Sequence, residues 1–211
     1  GSVTASNALF ENVLIVGGAA DNSISPYDMS NPSFIGGGNN NTIQDSDNSF
    51  LGGGEYNEIQ DSDEGFIGGG RYNDLKLGSM QSFIGGGYNN TIYKSKESAI
   101  LAGVDNQINA VLSSEIKYSN IIVGGRGNII SASAWHATDG GHSNTIVGGL
   151  NNLIHQTSEY GFIGGGRGNK IRSTGYRTKQ EYNTIGGGYS NQINDGGHHT
   201  GIFSGESNLI H

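Results

Sequence analysis

The sequence predicts an all-β fold, a parallel β-solenoid, from three observations. A ten-residue phrase, F-I-G-G-G-x-x-N-x-I, recurs along almost the whole chain. Its copies lie as little as 16 residues apart, which is too short a spacing for a pair of helices or a propeller blade. Glycine accounts for 38 of the 211 residues and proline for only 2, without the every-third-residue glycine of collagen. One copy of the phrase therefore fits one coil of a solenoid.

The asparagine of the phrase marks each copy most clearly. Successive asparagines are 16, 16, 17, 16, 22, 24, 17, 22 and 17 residues apart. Together with an irregular first copy near residues 15–24, they predict about 11 coils with a period near 16 residues. The asparagines are Asn41, Asn57, Asn73, Asn90, Asn106, Asn128, Asn152, Asn169, Asn191 and Asn208.

Each copy supplies two short strands and two turns. In one copy, Phe50 and Leu51 end a strand, the glycines allow an unusual backbone path, residues 57–59 resume extended structure, and residues 60–63 turn the chain back. Stacked coils lie about 4.8 Å apart, so equivalent side chains form ladders. One ladder is the asparagine series. Another consists of Phe34, Phe50, Phe66, Phe83 and Phe162.

Neighbouring strand residues point to opposite faces, so the phenylalanine and the isoleucine of one copy cannot share the interior. We expect the isoleucines inside and the phenylalanine row on an outer face, where an oligomer would bury it. We expect the asparagines to be structural, because asparagine tolerates the left-handed conformation of a tight turn and stacked amides bond from coil to coil. A central glycine such as Gly69 should tolerate substitution poorly.

Composition restricts the function further. The formal net charge of -8 and the pI near 5.1 oppose nucleic acid or an anionic membrane as partner. The absence of cysteine excludes a disulfide framework and a thiolate metal site. The repeats run from end to end, which predicts a single domain over residues 1–211. We find no transmembrane run, signal peptide, heptad stalk, basic neck motif or membrane anchor in the sequence, and expect no direct membrane contact.

Residues 49–59, 82–92 and 183–193 read S-F-L-G-G-G-E-Y-N-E-I, S-F-I-G-G-G-Y-N-N-T-I and N-T-I-G-G-G-Y-S-N-Q-I. They resemble the triple-glycine head repeats of trimeric autotransporter adhesins, the YadA-like and ubiquitous-surface-protein-like group, and the resemblance covers roughly residues 10–210. It implies a left-handed parallel β-roll and a homotrimer. It also implies an extracellular virulence function on the bacterial surface, anchored in the outer membrane through regions outside this chain.

The resemblance implies attachment to host cells, extracellular matrix or glycans. The main alternative is the receptor-binding fibre of a phage or virus, located on the virion surface. A β-solenoid enzyme that acts on polysaccharide and an ice-binding solenoid are further alternatives. Neither threonine ladders nor a groove of clustered carboxylates supports these last two.

We expect no catalysis, no cofactor and no metal site. The six histidines lie largely in insertions and form no zinc-binding motif. The D-S-D turns at 45–47 and 61–63 could capture calcium if their carboxylates stack, but the G-G-x-G-x-D pattern of calcium β-rolls is absent, so we interpret them as solvated turns. Turn tyrosines could stack on sugars, but we interpret them as exposed turn residues: Tyr56, Tyr72, Tyr88 and Tyr189.

Three insertions lengthen individual coils, at 109–120, 131–144 and 172–181. Insertions in a solenoid emerge as loops from one edge, and aromatic and arginine side chains are enriched where partners dock. We therefore predict a partner-binding surface on these loops. The alternative is that the loops pack against a neighbouring chain. The candidate residues are Lys117, Tyr118, Trp135, His136, Tyr176 and Arg177.

Overall fold

The structure, a computed structural model, describes residues 3–4, 8–10, 13–15, 21–25, 31–110, 119–132, 143–155, 158–172, 180–194 and 199–211. These residues form strands and turns and contain no helix. Two 12-stranded sheets run through the molecule, and each described copy of the phrase contributes one strand to each sheet. Nine successive bridges join corner residues of neighbouring coils, from Asn39 to Glu206, so the solenoid makes about nine turns. The predicted all-β parallel solenoid is confirmed.

Sheet 1 consists of β1 (Val3–Thr4), β4 (Ser23–Ser25), β6 (Thr42–Gln44), β8 (Glu58–Gln60), β10 (Asp74–Lys76), β12 (Thr91–Tyr93), β14 (Gln107–Ala110), β16 (Ile129–Ala132), β18 (Leu153–His155), β21 (Lys170–Arg172), β24 (Gln192–Ile193) and β26 (Leu209–Ile210). Sheet 2 consists of β2 (Ala8–Phe10), β3 (Val13–Ile15), β5 (Ser33–Ile35), β7 (Phe50–Leu51), β9 (Phe66–Ile67), β11 (Phe83–Ile84), β13 (Ala99–Ile100), β15 (Ile121–Ile122), β17 (Thr145–Ile146), β20 (Phe162–Ile163), β23 (Thr184–Ile185) and β25 (Gly201–Ile202). A small third sheet pairs β19 (Ser158–Glu159) with β22 (Gln180–Glu181).

Neighbouring coils pair in parallel and in register. Isoleucines and leucines of successive strands are direct partners, for example Ile59 with Leu75 and Leu75 with Ile92. The first described pair of bonded asparagines, Asn22 and Asn41, is 19 residues apart; the spacing is then 16 or 17 as far as Asn106 and as much as 22 or 24 later. Extra residues therefore enter between strands without shifting the strand register. The described strands at the amino-terminal end differ, because β1 and β2 pair in antiparallel fashion with β4 and β3.

The core is a double column of aliphatic side chains. Each coil contributes one residue from each sheet, such as Ile35 opposite Ile43 and Leu51 opposite Ile59, all with no exposed surface. Full burial of such a side chain stabilises the fold by roughly 1.5 to 3 kcal/mol. As expected, the isoleucine of the phrase faces inward. Two aliphatic residues per coil make a thin core, so the polar contacts between coils contribute much of the specificity with which one coil stacks on the next.

The ladder asparagines from Asn41 to Asn191 are buried and form closely similar hydrogen bonds from coil to coil. The amide nitrogen of Asn41 donates to the carbonyl of Gly37 at 3.0 Å and to the carbonyl of Gly54, one coil further, at 2.9 Å. Its side-chain oxygen accepts the backbone N–H of Asn57 at 3.1 Å. Because a buried amide costs free energy unless its donors and acceptors are paired, this network both permits burial and fixes the coil spacing.

The left-handed backbone conformation occurs one residue before each ladder asparagine, not at the asparagine itself. Asn40, Tyr56 and Asp105 have φ of 54°, 55° and 57°. The expectation that the ladder asparagines were chosen for a left-handed turn was therefore wrong. The turn tolerates several residue types because its side chain points to solvent, whereas the next position requires an amide that both donates and accepts.

The third glycine of the phrase is present in all ten described copies, while the first two are replaced in some of them. A Cβ atom on Gly38 would lie 2.1 Å from the carbonyl oxygen of Gly54. At the central position of the run there is more room, since a Cβ on Gly69 would lie 3.6 Å from the nearest backbone oxygen. The third glycine, rather than the central one, is therefore the position where neighbouring coils approach most closely.

Candidate functional site

The outer face of sheet 2 carries an apolar stripe along the length of the solenoid. Its members are exposed or half-buried because no other element of the described chain covers them; Phe50 is 38% exposed and Leu101 is 44% exposed. Contiguous exposed apolar surface of this kind marks an interaction site in soluble proteins. The apolar stripe consists of Phe34, Phe50, Phe66, Phe83, Leu101, Ile121, Val123, Val147, Phe162 and Phe203.

Four phenylalanines at one end of the apolar stripe form a stacked column. The ring centroids of Phe34, Phe50, Phe66 and Phe83 lie 5.0, 4.9 and 5.0 Å apart, and the rings are close to parallel. Phe162 occupies the same position further along, but its strand partners are Thr145 and Thr184, so it lies outside the stack.

The apolar stripe keeps its bulk in three coils that lack the phenylalanine, where the third position is Leu101, Val123 or Val147, whereas the coil of Thr184 and Gly186 has no apolar residue at either position. Where the first position of the phrase is phenylalanine, the third is glycine and the ring lies over it; Cε1 of Phe50 would be 3.4 Å from a Cβ on Gly52. Where the first position is Ala99, the third is Leu101. The two positions point to the same face, since they are two residues apart in an extended chain. The exchange maintains an apolar surface that the fold itself does not use.

Sheet 1 presents a polar outer face instead. The ammonium group of Lys76 lies 2.8 Å from a carboxylate oxygen of Glu58 and 3.1 Å from one of Asp74. Burial raises the pKa of Asp74, and Lys76 opposes that shift only in part. Burial alone would lower the pKa of Lys76, but its hydrogen bonds and charge interactions with the two carboxylates outweigh burial, so its pKa is raised. The two outer faces of the solenoid therefore differ in chemistry.

Further along sheet 1, Ser131, His155 and Arg172 occupy the same position on three adjacent strands. The Ser131 hydroxyl hydrogen-bonds to Nδ1 of His155. Burial, and then the positive charge of Arg172, lower the pKa of His155. The guanidinium also donates to Asn194 and Gln192 of the next strand. The three side chains thus tie adjacent coils together, and the hydrogen bond with Ser131 offsets only part of the fall in the pKa of His155.

The three insertions leave the solenoid along one edge. They follow β14, β16 and β21, whose carboxyl ends lie at the same edge of sheet 1 with β18 between the last two, and they lead into strands of sheet 2. All six candidate binding residues lie outside the described residues: Lys117, Tyr118, Trp135, His136, Tyr176 and Arg177. The structure therefore places the ends of these insertions on one edge and gives no geometry for the candidate side chains.

Aromatic side chains cluster at two corners of the coils. Tyr56 and Tyr72 stack at 5.1 Å, Tyr88 meets Tyr72 edge to face at 5.9 Å, and the guanidinium of Arg71 lies 5.0 Å from the Tyr72 ring centre. All three tyrosines are exposed. Their mutual stacking shows that these turn residues also stabilise the corner from coil to coil.

The second aromatic cluster, which the sequence did not predict, lies where the chain enters three neighbouring strands of sheet 2, β20, β23 and β25. Tyr160 and Tyr182 stack at 4.8 Å, and Tyr182 and His199 stack at 4.9 Å. All three residues have positive φ, between 55° and 58°. The signal available in the sequence was their shared position two residues before the phrase. Beside this column lies a cleft of about 450 Å³.

The D-S-D turns at 45–47 and 61–63 are held by hydrogen bonds to other groups of the protein. Ser46 and Ser62 are completely buried, and the hydroxyl of Ser46 accepts the backbone N–H of Ser62 at 2.9 Å. A carboxylate oxygen of Asp63 accepts the backbone N–H of Asp47 at 2.8 Å. The serines in the middle of the D-S-D turns thus form a buried ladder, which the sequence did not reveal. Among the described residues, no three histidine, aspartate or glutamate side chains cluster closely enough to hold a metal ion.

No protein-family model matches the chain, and no curated protein sequence matches it. Within the described ranges, no helix is long and apolar enough to cross a membrane. The features that bear on function are therefore the apolar stripe, the edge that carries the insertions and the cleft beside Tyr182.

Proposed function

We propose that this chain is the head of a homotrimeric cell-surface adhesin, and that its function is binding without catalysis. The observation that carries the proposal is the apolar stripe, which runs from Phe34 to Phe203 on sheet 2 and which the fold does not cover. Burial of such a stripe contributes about 25 cal/mol per Å² of apolar surface removed from water. Three chains that place sheet 2 against one another would bury the stripe and leave the polar face of sheet 1 in solvent.

We infer a left-handed β-roll of about 11 coils with a period near 16 residues. The ladder spacing of 16 or 17 residues from Asn41 to Asn106 supports this period. The similarity of the repeats to triple-glycine adhesin heads supports the left-handed winding of the roll and the assembly of three chains. A rigid, acidic rod is suited to exposure on a bacterial surface, because a formal charge of -8 per chain keeps heads apart.

We propose that the insertions form the contact with host cells, matrix proteins or glycans. The ladders present nearly the same chemistry in every coil, which suits assembly but offers little specificity. The insertions break the repeat, and each leaves the solenoid at the carboxyl end of a sheet 1 strand, on one edge. A binding surface on this edge would remain accessible in a trimer whose sheet 2 faces are buried.

Light scattering tests the assembly, and a cell or matrix adhesion assay tests the function. We expect a particle of three chains. We expect that shortening 111–118, 133–142 and 173–179 to the length of the shortest coils abolishes adhesion and leaves the trimer intact. Trp135→Ala should weaken adhesion, while Tyr88→Ala, an exposed aromatic change outside the insertions, should not. A folded monomer contradicts the trimer, and a trimmed trimer that still adheres contradicts the assignment of the insertions.

A further inference from the structure

The formal charge of the chain is unevenly distributed along the solenoid. Residues 1–110, the first half, contain 13 acidic and 4 basic side chains, whereas residues 111–211 contain 6 acidic and 7 basic ones. Because successive coils lie about 4.8 Å apart, a segment of several coils is longer than the screening length of about 8 Å at physiological salt. A charged ligand therefore meets an acidic first half and a second half with a slight excess of positive charge.

In the first half, neighbouring coils place opposite charges together. Each outward residue of a strand or corner has one neighbour in the coil before it and one in the coil after it. Arg71 follows Glu55 at the corner, and its Nε lies 3.1 Å from a carboxylate oxygen of Glu55. The ammonium group of Lys76 lies 2.8 and 3.1 Å from carboxylate oxygens of Glu58 and Asp74. The register of the coils thus neutralises these basic side chains.

The same corner carries two arginines in the second half, and their surroundings differ. Arg167 lies between Leu150 and Tyr189 at this position, and its guanidinium lies 5.7 Å from the centre of the Tyr189 ring. Arg126 occupies the position two coils earlier. Its side chain is 70% exposed, and its Nε lies 3.7 Å from a carboxylate oxygen of Asp105. The corner is therefore basic over these coils.

A further basic side chain lies in the same coil as Arg167. Lys170 follows it by three residues and faces outward on sheet 1, where its strand partners are Leu153 and Gln192. Within the described part of the chain, neither Arg167 nor Lys170 has a carboxylate within ion-pair distance. An anion bound by both would therefore gain two charge-assisted contacts that no acidic side chain competes for.

The corner also leaves room beside these basic side chains. The residue after the corner position has positive φ in each described copy of the phrase. It is tyrosine at Tyr56 and Tyr72, but glycine after both arginines, at Gly127 and Gly168. Tyr189, one coil beyond Arg167, has a ring that is 44% exposed. A chain of sugar rings can therefore approach the backbone between the arginines, which are about 9.6 Å apart along the solenoid.

From these observations we infer that Arg126, Arg167 and Lys170, here called the basic corner, bind an anionic polysaccharide. The inference rests on the proposed binding function and adds to it a site outside the insertions. Acidic groups of the polysaccharide would pair with the three basic side chains, and the exposed Tyr189 ring would contact a sugar ring. A flexible chain can follow this short segment and then leave the surface. A nucleic acid duplex or a membrane along the solenoid would also face the acidic first half.

Heparin, a linear polysaccharide with sulfate and carboxylate groups, is the probe, and neutral dextran is the blank. Calorimetry at several salt concentrations should show heparin binding that weakens as salt rises, because bound counterions are released. Arg167→Gln combined with Lys170→Gln should weaken binding roughly tenfold or more. The same pair should reduce the slope of log affinity against log salt by about 1 to 2.

The matched control is Arg71→Gln combined with Lys76→Gln. It removes the same formal charge from positions whose charges are already paired, so it should change heparin affinity by less than about threefold. Melting curves by circular dichroism should be similar for both double variants and the unmodified protein, since all four side chains lie at the surface. A DNA duplex and vesicles that contain phosphatidylserine are measured in parallel.

The outcomes separate the inference from the function that it rests on. A loss of heparin affinity confined to the test pair supports the basic corner. An equal loss in both double variants means that binding follows net charge, and this overturns the inference, as does an unmodified protein that does not bind heparin. Tighter binding of DNA or vesicles than of heparin overturns the polysaccharide as ligand. A protein that binds heparin at this corner but does not adhere to cells or matrix contradicts only the proposed adhesive function.

Discussion

The side-chain oxygen of Asn41 accepts a hydrogen bond from the backbone N–H of Asn57, one coil further along, at 3.1 Å. The same contact joins Asn57 to Asn73 and continues through the described coils as far as Asn208. It pairs a backbone donor that the turn would otherwise leave unpaired in the interior. Because the side-chain nitrogen of Asn41 donates to Asn22 in the preceding coil and to Gly54 in the following one, this residue ties together three consecutive coils.

Asn41→Ala should destabilise the protein by at least about 2 kcal/mol. The change leaves the buried N–H of Asn57 without its acceptor and removes two donor contacts to glycine carbonyls. Asn39→Ala is the matched control, because Asn39 lies in the same turn with its side chain partly in solvent, and should cost less than about 0.5 kcal/mol. Urea unfolding followed by circular dichroism measures both. Equal midpoints would show that the ladder contributes little.

Gly70→Ala should be much more damaging than Gly78→Ala. Both glycines have positive φ, 91° and 83°, so both substitutions carry the same conformational penalty of about 1 to 2 kcal/mol. Only at Gly70 would the new Cβ meet backbone, at 2.3 Å from the carbonyl oxygen of Gly87. We expect more than about 3 kcal/mol at Gly70, measured as a fall in thermal midpoint. Similar midpoints for the two variants would contradict a role for close coil contact.

Leu101→Glu should dissociate the proposed trimer, whereas Gln107→Glu should not. Both changes add one negative charge to the same coil. Leu101 belongs to the apolar stripe, so its replacement would bury an unpaired carboxylate between chains. Gln107 faces outward on sheet 1 and uses its side-chain oxygen as an acceptor for Asn109, a contact that glutamate keeps. Sedimentation or light scattering distinguishes the outcomes, and a trimer of the Leu101 variant would argue against sheet 2 as the interface.

Stability should fall as the pH drops below about 6.5, and His155→Gln should reduce that loss. The pKa of His155 in the folded protein lies below its ordinary value, so the unfolded chain binds the proton more readily. The contribution of the neutral imidazole is therefore complete above the unfolded pKa and is lost as the pH falls through the folded one. Melting curves at pH 7.5 and 5 measure the difference. The exposed His211→Gln provides the control, and an unchanged pH dependence in His155→Gln would refute the prediction.

The sequence was sufficient to predict the fold because the repeat determines it. Once isoleucine recurs at one position of each coil, stacked strands place every copy of it in one interior column, and the neighbouring phenylalanine must face outward. The prediction at the ladder asparagines was less accurate. The recurring asparagine indicated that an amide is needed at this position. Only the backbone shows that the left-handed residue is the one before the asparagine, such as Tyr56.

The candidate site was less predictable, for a physical reason. Residues outside the phrase vary from coil to coil, so the stack of Tyr160, Tyr182 and His199 becomes evident only when the structure places the three coils on one another. The buried serine of each D-S-D turn is similar. Its flanking aspartates suggest a solvated turn, while the small side chain between them, as in Ser62, bonds inward.

The contacts of the ladder asparagines extend no further than the adjacent coils, and this has a consequence for inheritance. A gene segment that encodes one short coil, such as residues 50–65, can be duplicated or deleted by recombination, and the new junction reproduces bonds that already exist elsewhere in the chain. Each such event changes the reach of the rod by about 4.8 Å. Rod length can therefore vary among descendants of this gene in whole-coil steps while the chemistry of every remaining turn stays the same.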